Sequence, residues 1–139
     1  MTTAPLSCEE LQRIIDLSPF NRWLQLAVGE ITRQGVVLRI PFREDMVGNA
    51  ELGVLHGGVM SALIDTAGCY AVVARTGRAG ATIDLRVDFH VAASGSDLHA
   101  HAEILRLGKN LGSVDVRVVD SSDRLVASGK VLCINPKSA

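Results

Sequence analysis

The sequence predicts an α+β domain of one long helix packed against several strands, an order that fits an antiparallel β-sheet wrapped around a single central helix. Three observations carry that expectation. Residues Val59 to Ala74 are apolar on nearly every helical face, so this helix has to be enclosed rather than laid on a surface. Beyond residue 81 the apolar period becomes two, the spacing of half-buried strands. The 139 residues, 47% of them hydrophobic, suit a single domain over residues 1–139 with one core.

Each element has its own signal. Ser7 followed three residues later by Glu10 is a capping-box pattern, and Leu11, Ile14 and Ile15 give helical spacing. A leading helix within residues 1–19 follows, with Pro19 closing it. Gly35 to Pro41 reads as a strand, and Arg43 to Gly53 as a polar, glycine-containing loop into the central helix. Ile83, Leu85, Val87 and Phe89 alternate against Thr82, Asp84, Arg86, Asp88 and His90. Leu98, Ala100, Ala102 and Ile104 alternate next, then Val114, Val116 and Val118, and Leu125 to Ile134 is a largely apolar last strand. Ser94 to Asp97 and Asp120 to Asp123 carry turn residues between them. Internal repeats, low-complexity tracts, a P-loop and a dinucleotide fingerprint are absent from the sequence.

Composition narrows the function classes. A formal charge of −1 with interspersed acids and bases gives no basic stripe, which argues against nucleic acid as the main partner. Cys8, Cys69 and Cys133 are odd in number and far apart, so they read as isolated thiols of a reducing cytoplasm rather than a disulfide frame or zinc site. The first six residues lack the basic start and apolar run of a secretory signal. The apolar stretch from Val54 to Ala74 is interrupted by His56 and Asp65, so it reads as a buried helix and not a membrane span.

The chemistry concentrates where His56-Gly57-Gly58 opens that helix and Asp65 follows about two turns later. A helix start offers amides without intrahelical partners and the positive end of the dipole, which suits an oxygen gaining negative charge. A carboxylate further on could attack a carbonyl, or activate water to attack it, while the Gly57 or Gly58 amide holds the carbonyl oxygen. An unpaired acid on so apolar a helix is costly to desolvate, a condition common at catalytic groups. The alternative is a structural acid satisfied by nearby donors.

His56-Gly57-Gly58, the apolar helix, the acid nine positions after the histidine and the downstream strands Ala81 to Phe89, Arg106 to Lys109 and Val126 to Lys130 resemble the hotdog-fold acyl-CoA thioesterases, specifically the PaaI-like, phenylacetate-degradation branch. The likeness covers most of residues 20 to 135. It implies a hotdog fold and hydrolysis of acyl-CoA thioesters to a free acid and coenzyme A. It implies Asp65 as nucleophile or general base and the Gly57 amide as the group polarising the carbonyl. It also implies a site built between two subunits of a homodimer or homotetramer, a dimer of dimers. Thr82 matches a hydroxyl that, in similar enzymes, comes from the neighbouring subunit. Asn49 stands one residue further upstream than the asparagine that precedes the turn in relatives. Cys69 occupies, one turn after Asp65, a place where some relatives carry a hydroxyl.

Residue by residue, His56 reads as a site-wall group and Gly58 as a second possible amide. Coenzyme A phosphates require basic partners, for which Arg86, Arg106 and Lys109 are candidates on or beside the late strands. An acyl thioester is already activated, so no metal or bound cofactor is expected, and coenzyme A enters as part of the substrate. His99, His101 and Glu103 share a strand face and are possible ligand types, but their neighbours Leu98, Ala100, Ala102 and Ile104 fill the other face, so the polar three read as the solvated or interface side. Two rivals stand beside hydrolysis: a hotdog hydratase or dehydratase on acyl thioesters, and a non-catalytic acyl-CoA-binding module.

Overall fold

A computed structural model describes residues 4–136; residues 1–3, where the expected leading segment begins, and 137–139 lie outside the described residues. The leading helix, α1, spans Cys8–Ile15, with the Ser7 side chain accepting from Glu10 N and the Glu10 carboxylate accepting from Ser7 N at 2.7 Å. Pro19 does not close this helix. It opens a second one, α2 (Pro19–Leu24), capped by Ser18, because proline at the first helical position gives up an amide that has no partner there. Buried Asn21 of α2 donates from Nδ2 to Ile15 O at 3.2 Å and to the Tyr70 hydroxyl at 2.8 Å, tying both short helices to the middle of the chain.

A strand that the sequence pattern did not announce, β1 (Ala27–Ile31), follows and pairs antiparallel with β2 (Gly35–Ile40). Gln12 stitches α1 to its start, donating to Leu26 O and accepting from Val28 N. The expected loop is partly ordered. Glu44–Met46 forms one 3-10 turn, and β3 (Val47–Asn49) pairs with β4 (Val54–Leu55) in a small ribbon that sets the chain's approach to the central helix.

That helix, α3, runs from Gly57 to Thr76, longer at both ends than its apolar core suggests. It is followed by β5 (Thr82–Phe89), β6 (Leu98–Leu107), β7 (Leu111–Val119) and β8 (Leu125–Ile134). The six-stranded sheet has the order β1-β2-β6-β7-β8-β5, antiparallel throughout, and α3 packs against β2, β5, β6, β7 and β8. This is the hotdog arrangement. By length and apolarity α3 would suit a membrane span, but Leu63, Ile64 and Ala67 are fully enclosed by the sheet. Close approach is possible at Gly68, where a Cβ would fall 2.5 Å from Val131 Cγ2.

Two features matter for the site. First, α3 is not uniformly apolar outside: Ser61, Asp65 and Cys69, four residues apart, form a half-buried stripe along one side. Second, β5 is the last strand of the sheet and carries a bulge between Thr82 and Asp84. The bulge breaks the expected alternation: Ile83 is 54% exposed instead of buried, and Thr82 turns toward the helix. Phe89, also read as core, is 56% exposed at the other end of the strand.

Candidate active site

His56 is the N-cap of α3, and its Nδ1 accepts from Gly58 N at 2.8 Å. Nδ1 is therefore unprotonated, and the neutral ring carries its hydrogen on exposed Nε2, free to donate outward. Gly58 has spent its amide on this cap, so of the two glycines only Gly57 keeps a free donor. Gly57 N–H is the first in the helix and donates to no protein acceptor among the described residues. The Phe89 ring covers the glycine, with carbons 3.2 Å from where a Cβ would stand. Any larger residue would displace that ring.

Asp65 sits in the middle of the polar stripe, half-buried, and is not unpaired. Its Oδ1 accepts from Thr82 Oγ1 at 2.5 Å. Here the structure corrects the expectation drawn from the resemblance: Thr82 reaches Asp65 of its own chain, because β5 returns along α3 directly after the turn that ends the helix. Thr82 Oγ1 also lies 2.9 Å from Cys69 Sγ. Cys133, the cross-strand partner of Thr82, faces the same thiol from β8, so two cysteines remote in sequence adjoin at the site. Contact with the Cys133 thiol, opposed by burial and aided by Thr82, lowers Cys69 to about 7; Cys133 is pushed up by the same contact and by burial, and keeps its proton.

Gly57 and Asp65 are eight residues apart on one straight helix, about 12 Å along its axis at 1.5 Å per residue. One carbonyl group cannot touch both in a single chain.

The remaining expected residues are scattered. Asn49 closes a turn, its Oδ1 accepting from Glu51 N and Leu52 N at 3.1 Å each, five to eight residues ahead of the helix start at Gly57. Arg86 lies in the middle of the outer face of the sheet, 3.4 Å from Asp88 and across the strands from the sheet end that carries Arg106 and Lys109, so it does not converge with them. Arg106 stands at a bulge of β6 and Lys109 in the β6–β7 turn, both exposed at the end of the sheet where Gly112, Cys133 and Thr82 form one row. His101 and Glu103 line a groove of about 770 Å³ across the outer face, and no three ligand-type side chains converge among the described residues.

Phe89, Ser61 and Cys133 belong to the site's surroundings and escape a motif-based reading. Ser61 could have been found from its four-residue spacing to Asp65, but the approach of Cys133 to Cys69 depends on sheet order alone.

Comparison with known proteins agrees with this architecture. Residues 52–127 match the family described as Thioesterase superfamily. The chain is 33% identical over 118 residues to a candidate esterase of Halobacterium salinarum, spanning 81% of this chain and 78% of that one. It is 29% identical over 126 residues to the medium/long-chain acyl-CoA thioesterase YigI of Escherichia coli, spanning 79% and 81%. An X-ray structure of a thioesterase superfamily protein superposes with a TM-score of 0.89 at 40% identity, over 91% of this chain and 96% of that one. The E. coli PaaI protein from the phenylacetic acid degradation operon superposes at 0.82 with 20% identity, over 95% and 97%, a likeness of fold alone.

Proposed function

This chain belongs to the thioesterase superfamily, whose general chemistry is thioester hydrolysis, and from that premise we propose that it cleaves acyl-CoA to a free acid and coenzyme A. One observation carries the reading: an otherwise apolar helix holds one carboxylate, Asp65, oriented by Thr82 on its half-exposed side, while the Gly57 amide at its start is left without a partner. Asp65 attacks the thioester carbonyl or activates the water that does. The carbonyl oxygen gains charge as the tetrahedral intermediate forms, and a backbone donor there contributes about 10²- to 10³-fold in rate. The Nε2–H of His56 adds a second donor at the same mouth. No metal or bound cofactor takes part, since the thiolate of coenzyme A is already a good leaving group.

The 12 Å between Gly57 and Asp65 supports a reading in which the two halves of the site come from two copies of the chain. β5 supplies the means: it ends the sheet with an unpaired edge eight residues long and exposes Ile83 and Phe89. Antiparallel pairing of two such edges about a two-fold axis, centred between Leu85 and Arg86, sets Phe89 opposite Thr82 of the partner subunit. Gly57, beneath Phe89, then meets the partner subunit's Asp65. A dimer of dimers would use the outer sheet face, where the row Glu103, Asp115, Lys130, Arg86 runs from acidic to basic and the row His101, Arg117, Ser128, Asp88 runs the other way. A second copy turned over on that face would set Glu103 and Asp115 against Arg86 and Lys130.

We place Arg106 and Lys109, at the Thr82 end of the sheet, on the coenzyme A phosphates. The acyl group is aromatic or medium-chain, and the similarity to YigI favours the aliphatic class. Three free cysteines suit a cytoplasmic protein. Thiol release from short-chain, medium-chain, long-chain and phenylacetyl-type CoA thioesters tests the reading. Turnover of at least one of these supports it; binding without turnover of any would replace it by a non-catalytic acyl-CoA-binding module.

A further inference from the structure

We infer that Cys69 is a positioning residue of the reaction: its thiol donates to the Thr82 hydroxyl and thereby commits the single Thr82 proton to Asp65. The inference rests on the reading of Asp65 as the catalytic carboxylate. Thr82 Oγ1 lies 2.5 Å from Asp65 Oδ1 and 2.9 Å from Cys69 Sγ. A hydroxyl has one hydrogen and two lone pairs, whereas a carboxylate only accepts. The Thr82 hydrogen therefore goes to Asp65, and the contact to sulfur is satisfied only if S–H donates to the oxygen. The chain Cys69 S–H to Thr82 O–H to Asp65 runs one way, and each donor polarises the next.

Loss of the thiol proton reverses the first link. A thiolate is an acceptor, so it competes with Asp65 for the Thr82 hydrogen and adds a second negative charge beside the carboxylate. The groups facing Cys69 decide when this happens. Asp65 on its own helix opposes ionisation, Thr82 on β5 can solvate the thiolate, the Cys133 thiol on β8 does so more strongly, and β7 presents only the uncharged main chain of Gly112 nearby. Contact with Cys133 brings Cys69 to about 7, so the relay is intact below neutrality and fails as pH rises through that value. A serine at the same place would donate in the same way and would not ionise.

The test is the pH dependence of kcat and KM from pH 5.5 to 9 for wild type, Cys69→Ser, Cys69→Ala and Asp65→Asn, with circular-dichroism melting of each. Wild type is expected to lose kcat on an alkaline limb centred near 7, with KM unchanged. Cys69→Ser keeps the low-pH rate within about threefold and has no such limb; Cys69→Ala, lacking the donor, is slower by about 3- to 10-fold at all pH values, the worth of one neutral hydrogen bond. If Cys69→Ala does not fold, the serine variant still decides the matter through the limb. An alkaline limb that persists unchanged in Cys69→Ser, or an alanine variant matching wild type at every pH, overturns the inference while leaving Asp65 in place. Wild-type turnover by Asp65→Asn instead removes the reading beneath it.

Discussion

Replacing Asp65 by Asn isolates the chemistry from the packing. The amide has the shape of the carboxylate, and its Oδ1 can still accept the Thr82 hydrogen across the present 2.5 Å, so Thr82 and Cys69 keep their places. The side chain is half-buried and forms no ion pair among the described residues, so folding stability should change by no more than about 1 kcal/mol. What disappears is negative charge and basicity. Loss of a positioned base costs about 10²- to 10⁴-fold, or roughly 2.7–5.5 kcal/mol in the barrier at ~1.36 kcal/mol per decade. KM should stay within about threefold, since a carboxylate has no favourable contact to make with an anionic coenzyme. Release of coenzyme A thiol, followed with a thiol dye against an enzyme-only baseline because Cys8 is exposed, gives both constants. A folded Asp65→Asn oligomer with kcat within about threefold of wild type would refute the argument and reduce Asp65 to a structural acid held by Thr82.

Thr82→Ala should lower kcat by about tenfold with little change in KM, because a hydrogen bond to a charged group is lost while the base remains; an unchanged rate removes Thr82 from the site. Gly68→Ala should lower the melting temperature, since the new methyl falls 2.5 Å from Val131 and overpacking of this kind costs about 1–3 kcal/mol; unaltered melting would mean that α3 lifts freely off β8. Arg106→Gln with Lys109→Gln should raise KM for acyl-CoA severalfold and leave kcat alone, whereas Arg86→Gln, in the middle of the outer sheet face, should not raise KM in the dimer. Equal effects of the two changes on KM would dissociate the phosphate assignment from the geometry.

The central layout was legible because periodicity reports burial. The largely apolar run at Val59 to Ala74 demanded a wrapper, and the alternating segments after residue 81 supplied one. Position along the chain did not reveal register. The bulge at Thr82–Asp84 moves Thr82 inward and Ile83 outward, an outcome decided by pairing with β8 and not by local pattern. Pro19 was misread because proline both stops and starts helices, and Ser18 before it was the deciding signal. β1 escaped notice because its five residues interleave Gly29 and Glu30 among few apolar ones. Within the candidate site, His56, Gly57 and Asp65 stand out as a motif. The separation of Gly57 from Asp65 follows from helix rise alone, whereas the thiol pair beside Thr82 needed the folded sheet.

Coexpression of two differently tagged, individually impaired chains tests the shared site most directly. One carries Asp65→Asn. The other carries Gly57→Pro, which removes the amide hydrogen at the first helical position, where proline is compatible with the helix and the exposed Phe89 ring can give way. Random pairing leaves about a quarter of all sites in the unfractionated mixture with an intact Gly57 from one chain and an intact Asp65 from the other, and a mixed dimer isolated through both tags has one such site of two, so it should recover about half of wild-type turnover. Mixed oligomers as inactive as either parent would contradict the account, since they would place both groups of each site on one chain.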